Sequence, residues 1–384
     1  MRLQILARFT PFLMGILFSA GVPWTGGTAP LSAQTGGAAD DPRGGWAEGS
    51  FFLESRDGRF RMTLGGRIQP RYQLRWPVEG ETTSSFFLRR VRLDVQGHVL
   101  DDRLTFRFMP ELARTANLRD GWVDYAVRPA LRLRAGQQVA PFHWHRFVSG
   151  NRQHFAERSL PSETFGFPNG YDVGVVIHGR DPSNRLAYGV GLFDGAGRNV
   201  AESNSAGNLA SGRVTWAVRG TLPREEPDLG HSEVVQVTLG LGLQGATRSE
   251  IRGWDLGRSV PGNRRADWAT GTVDVSVRWK GFSTYGEGYL RNVSPDDPAV
   301  SSYSGRAHGF GVGYFLLPGR LEAVGRWSEL RLDRRVPGTR ERQWGVGLNT
   351  YHHGHLWKTH FQYLQGDVPG GKDHILLLQA HLQF

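Results

Sequence analysis

The sequence predicts an all-β fold: a transmembrane, antiparallel, up-and-down β-barrel of about 16 strands with one inward-folded loop. Three observations lead to this prediction. Polar and apolar residues alternate with period two along most of the chain. The alternating segments are about ten residues long, the length at which a tilted strand crosses a bilayer. The chain ends on an amphipathic segment whose last residue is Phe384.

The first residues predict export. Arg2 and Arg8 accompany the start of an apolar run at 9–22, and small residues follow up to Ala33. This order of basic, apolar and small residues is typical of a signal peptide, so we expect residues 1–33 to be removed. The apolar run is shorter than the roughly 20 residues of a membrane-spanning helix.

The period-two pattern begins after a short leader. Residues 34–50 are rich in Gly, Ala, Thr and Asp, which predicts a flexible segment, and the barrel is expected to occupy residues 51–384. Within 59–76, apolar residues fall mostly on even positions and polar ones, chiefly arginine, on odd positions. A strand places these two sets on opposite faces, whereas a helix would mix them. The same alternation recurs in about sixteen segments, spaced as hairpins.

The positions of the charged residues indicate which face of each predicted strand is expected to line the lumen and which to face lipid. The formal net charge is +10, and nearly all the positive charge is arginine, because lysine occurs only at 280, 358 and 372. An arginine on the lipid face near the bilayer midplane costs roughly 2–4 kcal/mol, so the arginines of the strands are expected to face the lumen. Arg89 shares parity with the apolar residues of its segment, and we expect it at the membrane edge.

An arginine-rich lumen favours small anions. Arginine stays charged and presents a planar fork that suits carboxylate and phosphate oxygens. The alternative is that the arginines only solvate the wall and pair with acids of the same parity, which would weaken any selectivity. These acids are Asp94, Glu111, Asp120, Asp124, Asp274, Glu287 and Glu322.

The longest irregular stretch between strands is 139–170, which is rich in Pro, His, Phe and Gly. Loops of this length are usually functional or disordered. Because this one carries arginines and bulky aromatic residues, we expect it to fold into the lumen and narrow the pore. A mobile external loop is the alternative.

Several motifs, taken in order, resemble one family of outer-membrane channels. Phe86–Leu93 reads FFLRRVRL and Asp120–Val123 reads DGWV, followed by FAERS at 155–159 and GVGLFDG at 189–195. Together they resemble the phosphate-selective porins, the O/P family, over roughly 50–384. The resemblance implies a passive outer-membrane channel of sixteen strands that forms trimers. It also implies an inward third loop and an arginine-lined path for phosphate-like anions.

The sequence lacks the lysine cluster that phosphate-specific members carry in later loops. A general, weakly selective nutrient porin and a non-conducting structural barrel therefore remain alternatives to a phosphate-favouring channel. Nine arginines are the candidate pore-lining, anion-binding residues: Arg71, Arg75, Arg90, Arg92, Arg107 and Arg134 in strands, and Arg146, Arg152 and Arg158 in the loop.

The expected partners follow from these features. The closing aromatic residue, Phe384, resembles the signal by which the barrel assembly machinery recognises its substrates. In a soluble sandwich this C-terminal strand would be an exposed edge, whereas barrel closure removes the edge. Outer-membrane lipid, small anionic solutes and further copies of the chain are the other expected partners.

No other chemistry is expected. His143, His145, His353 and His355 could offer imidazoles, but no further ligand stands at suitable spacing, so neither a metal nor a cofactor is predicted. No nucleophile elbow occurs, and we expect no enzyme. Nucleic-acid binding is not expected either, because the arginines face inward in an exported chain. Without cysteine the chain forms no disulfide.

Overall fold

The computed structural model describes most of the chain outside its N-terminus. The described residues are 43–47, 49–166, 170–200, 208–250, 265–299, 301–332, 340–368 and 371–384. The expected signal peptide, residues 1–33, lies outside them. Within the described residues no helix is long and apolar enough to cross a membrane. The first strand begins at Arg43, inside the segment for which the sequence predicts a flexible leader.

Eighteen strands and two short helices occur in the described residues. The strands are β1 (Arg43–Ala47), β2 (Ser50–Glu54), β3 (Phe60–Pro77), β4 (Thr83–Val99), β5 (Asp101–Glu111), β6 (Asn117–Arg128), β7 (Leu131–Val139), β8 (Tyr171–Arg180), β9 (Leu186–Phe193), β10 (Leu209–Arg219), β11 (Gln236–Glu250), β12 (Arg265–Trp279), β13 (Phe282–Pro295), β14 (Tyr303–Leu317), β15 (Leu321–Leu332), β16 (Arg340–His353), β17 (Trp357–Val368) and β18 (Gly371–Gln383). The helices are α1 (Trp144–Phe147) and α2 (Leu160–Phe165).

Strands β3 to β18 form a closed antiparallel barrel of 16 strands. Each strand pairs with the next one along the chain, and β18 pairs with β3 from Asp373 opposite Pro77 to Gln383 opposite Arg67. Closure gives every wall strand two hydrogen-bonded neighbours and leaves no edge, which a strand in lipid requires. The predicted up-and-down barrel of about sixteen strands is confirmed.

Strands β1 and β2 form an N-terminal hairpin that extends the wall at the start of β3, beyond the point where β18 ends. β2 pairs with residues 61–64 of β3, the part of β3 that β18 does not reach. Phe384 and Gly66 exchange backbone hydrogen bonds at the junction. A Cβ at Gly66 would lie 2.9 Å from both the carbonyl oxygen of Arg92 and the ring of Phe384, so only glycine allows this close approach.

Exposure separates the two faces of the wall. On β11, Leu241 and Leu243 are 62% and 72% exposed, whereas the polar Thr238 and Gln244 are buried. This order is the reverse of that in a water-soluble protein, where the large apolar side chains would be covered. The apolar face is therefore the outer, lipid-facing one, and the polar face lines the lumen.

A proline displaces the register between β3 and β4. Gln69 lies opposite Arg90 but Pro70 lies opposite Leu88, so Arg89 is an extra residue in a β-bulge. Proline has no N–H to donate to the ladder, and the bulge accommodates it. As a result Arg89 and Arg90 both point to the polar face, where both contact the same carboxylate. The expectation that Arg89 lies at the membrane edge is wrong for this reason.

A second β-bulge opposite a proline occurs between β5 and β6. Met109 lies opposite Asp120 but Pro110 lies opposite Leu118, which makes Arg119 the extra residue. Arg119 and Asp120, although adjacent in sequence, consequently line one cavity on the polar face. Two proline-associated bulges thus place additional charged groups on this part of the wall.

The connection between β7 and β8 packs against the polar face of the wall. We call its described part, residues 140–166, the loop segment; it contains α1 and α2. Ser159 caps α2 by accepting the backbone N–H of Ser162 at 3.2 Å, and its hydroxyl donates to Glu287 on β13. Phe142 and Phe165 are buried in one apolar cluster with Tyr289, Ala307 and Leu330 of the wall.

Candidate functional site

A cavity of about 510 Å³ lies between the loop segment and the polar faces of β3 to β8. Positive charge dominates it, because eleven arginines but only four carboxylates are among its lining residues. We call it the arginine cavity. Its arginines are Arg67, Arg89, Arg90, Arg92, Arg107, Arg114, Arg119, Arg134, Arg146, Arg158 and Arg198, and its carboxylates are Glu111, Asp120, Glu157 and Glu163.

The structure brings six of the nine predicted arginines together here. They are Arg90, Arg92, Arg107, Arg134, Arg146 and Arg158. Three others lie outside the lining. Arg71 is buried beside the cavity and donates to Gln379. Arg75 pairs with Asp373 at 2.7 Å near the end of β3, and Arg152 lies in the loop segment away from the cavity.

Five cavity arginines were not among the predicted residues, for three different reasons. Arg67 shares parity with Arg71, and the period-two pattern could have identified it. Arg89 and Arg119 are placed on the polar face by the bulges opposite proline, which a strict parity rule misassigns. Arg114 and Arg198 lie in connections between strands, where no periodicity indicates direction.

Glu157 of the loop segment draws three wall arginines together. Its Oε1 lies 2.5 Å from Arg89 Nε and 2.5 Å from Arg71 Nη2, and its Oε2 lies 3.3 Å from Arg90 Nη2. Burial opposes ionisation of this carboxyl, but Arg90, Arg89 and Arg71 hold its pKa well below the usual range. One ionised carboxylate therefore faces three guanidinium groups, and a positive excess remains.

Two cavity arginines are neutralised one to one. Arg107 makes a two-pronged contact with Asp94, with distances of 2.8 and 2.5 Å to the two carboxylate oxygens. Arg92 Nε lies 2.7 Å from Glu111. Both pairs join neighbouring strands, and they hold these guanidinium groups in fixed positions along the wall.

Four cavity arginines make no ion pair with a carboxylate of the described residues. Arg67 donates to Ser149 Oγ at 3.2 Å, and Arg119 lies 4.5 Å over the ring of Tyr171. Within the described residues, Arg119 Nε and Arg198 Nη1 are buried without a hydrogen-bond partner. Such groups could bind an anion without first releasing a carboxylate. The four are Arg67, Arg114, Arg119 and Arg198.

The loop segment is fixed to the wall on its other side by paired charges. We call this region, with strands β13 to β17, the anchored side. His145 lies 3.2 Å from both Glu226 and Glu287, and His154 lies 2.9 Å from Glu322. Burial lowers the pKa of His145, but Glu287 and Glu226 outweigh it and raise the pKa to about 9. The imidazolium is therefore the stable form at neutral pH.

The connection between β10 and β11, residues 220–235, takes part in this anchoring. Its Glu226 receives a backbone hydrogen bond from His154 at 2.8 Å, and its Glu225 lies 2.5 Å from His355. Asp228 accepts the backbone N–H of Gly281 at 2.8 Å. The connection therefore joins the loop segment to the turns that follow β12 and β16.

Comparison with known proteins agrees with this architecture. Residues 62–226 match the family model of the phosphate-selective porins O and P. The resemblance expected from the motifs is confirmed over these residues. This match and the closed barrel indicate an outer-membrane protein with a porin fold. No curated protein matches its sequence significantly.

Solved porin structures share the fold at low sequence identity. An anion-selective porin from Comamonas acidovorans is 14% identical with a TM-score of 0.58, over 84% of this chain and 99% of that one. The trimer form of OmpT, an outer-membrane protein of Vibrio cholerae, is 12% identical with a TM-score of 0.55, over 84% and 99% of the two chains. The outer-membrane channel DcaP of Acinetobacter baumannii is 12% identical with a TM-score of 0.54, over 86% and 99%. Family and fold indicate a channel rather than an enzyme.

Proposed function

We propose that this porin is a passive diffusion channel that favours small anions, with phosphate-like oxyanions as preferred solutes. The observation that carries the proposal is the charge of the arginine cavity, where eleven arginines face four carboxylates. An oxyanion passing through would exchange part of its hydration shell for planar guanidinium donors that stay charged at all physiological pH values. The anion-selective neighbour from Comamonas acidovorans supports the same proposal.

The loop segment is proposed to form the constriction. It supplies Arg146 and Arg158 to the arginine cavity, and its Glu157 binds arginines of β3 and β4. Its opposite side is bonded to the wall, as Arg326 donates to the carbonyl oxygen of Glu157 at 2.6 Å. A loop held on both sides leaves the arginine cavity as the path for solute.

We propose three further properties of this protein, each supported by a separate observation. The trimer form of OmpT supports a homotrimer for this chain. The C-terminal Phe384 supports recognition by the barrel assembly machinery. The basic, apolar and small residues of 1–33 support removal of a signal peptide during export.

Planar-bilayer conductance of the refolded porin tests the channel proposal. We expect open steps, a reversal potential in a salt gradient that indicates anion preference, and reduction of the current by added phosphate. In the double variant Arg119→Gln/Arg198→Gln the anion preference should fall severalfold, because each removed charge has no ion pair among the described residues. Arg75→Gln is the matched control; it removes an arginine paired outside the arginine cavity and should leave selectivity unchanged.

Other results of the conductance measurement would favour one of the two alternative functions. Weak selectivity without phosphate block would indicate a general nutrient porin, in which contacts such as Arg107–Asp94 neutralise the path. A folded barrel without conductance steps would indicate a structural barrel closed by the loop segment, and would contradict the channel proposal.

A further inference from the structure

The outer face of the wall carries a charged region that the proposed channel does not use. It lies on three adjacent strands, β14 to β16, whose registers align three rows of residues. From the middle of the barrel towards its end, the rows are Phe310–Trp327–Trp344, then His308–Glu329–Arg342, then Arg306–Arg331–Arg340. We call the second and third rows together the outer arginine patch.

Parity places the outer arginine patch on the lipid-facing side. On β16, Arg340 and Arg342 share parity with the exposed apolar residues Val346 and Leu348. On β15 the buried Arg326 of the polar face alternates with the patch residues. The three arginine side chains that surround Glu329 remain 41%, 43% and 45% exposed, so they are available to a ligand.

The patch holds more positive charge than its own carboxylate can neutralise. Glu329 is contacted by Arg331, by Arg340 at 2.7 Å and by Arg342 at 2.8 Å. Arg306 lies directly opposite Arg331 across the β14–β15 ladder. Like charges directly opposite each other on a sheet are destabilising, so this row of three arginines favours an added anion.

The neighbouring aromatic row, Phe310–Trp327–Trp344, indicates the depth in the membrane at which the outer arginine patch lies. Aromatic residues on the outer face of a barrel mark the boundary between hydrocarbon and headgroups. Successive rows on one face of a strand are about 7 Å apart, which places the arginines beyond Trp327 and Trp344, at the level of the headgroups. This is the barrel end with the longer connections, including 140–170, and longer loops face the exterior in such barrels.

We propose that the outer arginine patch binds the phosphate groups of an anionic lipid headgroup in the outer leaflet. Guanidinium groups pair with phosphate oxygens in a two-pronged geometry, and several arginines side by side match a headgroup that carries more than one phosphate. The aromatic row below them would contact the upper part of the acyl chains.

The test titrates the full-length refolded porin, in dodecyl maltoside micelles, with a bisphosphorylated lipid A. Bound lipid per chain is measured by mass spectrometry, and the dephosphorylated lipid is titrated in parallel. Each arginine near an anionic surface strengthens binding about fivefold, so Arg306→Gln/Arg331→Gln/Arg340→Gln should weaken binding about a hundredfold. The matched control, Arg59→Gln/Arg61→Gln/Arg103→Gln, removes the same charge at the opposite end of the barrel and should change binding less than about twofold.

Several results would overturn the proposal. These are equal weakening by both triple variants, equal binding of the dephosphorylated lipid, and displacement of the lipid by an equal concentration of inorganic phosphate. A changed oligomeric state in the patch variant would instead identify this face as a contact between subunits. If the triple variant does not fold, Arg306→Gln alone should weaken binding about fivefold. Unchanged anion selectivity of the patch variants would separate this site from the proposed channel.

Discussion

Two regions share the polar face of one barrel wall: the arginine cavity beside β3 to β8 and the anchored side beside β13 to β17. In the arginine cavity, Glu157 meets three guanidinium groups, and Arg119 has no carboxylate partner in the described residues. On the anchored side, buried carboxylates contact a histidine and also accept hydrogen bonds from neighbouring groups. Glu322, for instance, accepts from Asn349 at 2.9 Å and from Tyr351 at 2.7 Å.

The difference separates the requirements of binding from those of stability. A group that is to hold a passing solute must keep some bonding capacity, whereas a buried charge that fixes a loop must be fully compensated. The loop segment contacts both regions. Its contacts on the anchored side hold it in place, and its other side can therefore contribute to the path through the arginine cavity. Three changes test this division.

The largest effect is expected from Glu322→Ala on the anchored side. Glu322 is fully buried and lies 2.9 Å from His154, so its removal takes one acceptor from each of three buried groups: the imidazole of His154, the amide of Asn349 and the phenol of Tyr351. Breaking a buried pair in this way costs about 3–5 kcal/mol, and we expect a fall of that size in the free energy of unfolding. Denaturant titration of the refolded barrel measures it.

Glu163→Ala is the matched control for this change. Glu163 lies in the loop segment and pairs with Arg146 at 3.2 Å, but its side chain is 48% exposed. An exposed pair contributes less than about 1 kcal/mol, so the control should change the unfolding free energy little. Equal losses in the two variants would remove the distinction between the two regions.

A smaller effect is expected from pH. The pKa of His145 is raised to about 9 in the folded state, against an ordinary value of 6.5, because Glu287 and Glu226 outweigh its burial. The stabilisation is therefore complete below about pH 6.5 and is lost as pH rises through about 9, with a size on the order of 3 kcal/mol. Limited proteolysis of the loop segment between pH 6 and 10 should show increasing cleavage.

His145→Gln provides the comparison for the pH measurement. This variant lacks the imidazole at position 145, so its cleavage should rise less steeply through that window than that of the unchanged protein. A cleavage profile that is the same in both proteins would assign the pH dependence to another group.

The smallest effect is expected from Glu157→Gln in the arginine cavity. Removal of one ionised carboxylate raises the positive excess, and the anion-to-cation permeability ratio should increase by a few-fold, on the order of 1 kcal/mol. Reversal potentials in a salt gradient measure this ratio. Glu54→Gln, whose partner Arg61 lies outside the arginine cavity, is the control and should leave the ratio unchanged. A decrease in anion preference would contradict the assignment of Glu157 to the path.

Much of the arginine cavity was within reach of the sequence, but not all of it. Arg90, Arg92, Arg107 and Arg134 follow from alternation, since each lies in a strand where side-chain direction has period two. The bulge at Pro70 reverses this parity, so that Phe86, on the far side of the bulge from Arg90, is 85% exposed. A shift of one residue exchanges the two faces, and composition does not reveal where it occurs.

By itself the sequence determined the sixteen-stranded barrel, the direction of most arginines and the family resemblance. These properties are local or periodic, because a strand in lipid must alternate apolar and polar residues and tolerates no unpaired edge. Only the tertiary structure decided which charges meet. Glu157 lies far along the chain from Arg71 and Arg89, and Glu226 reaches His145 from a different connection. Such pairs depend on how the loop segment packs against the wall, and no spacing in the sequence encodes that contact.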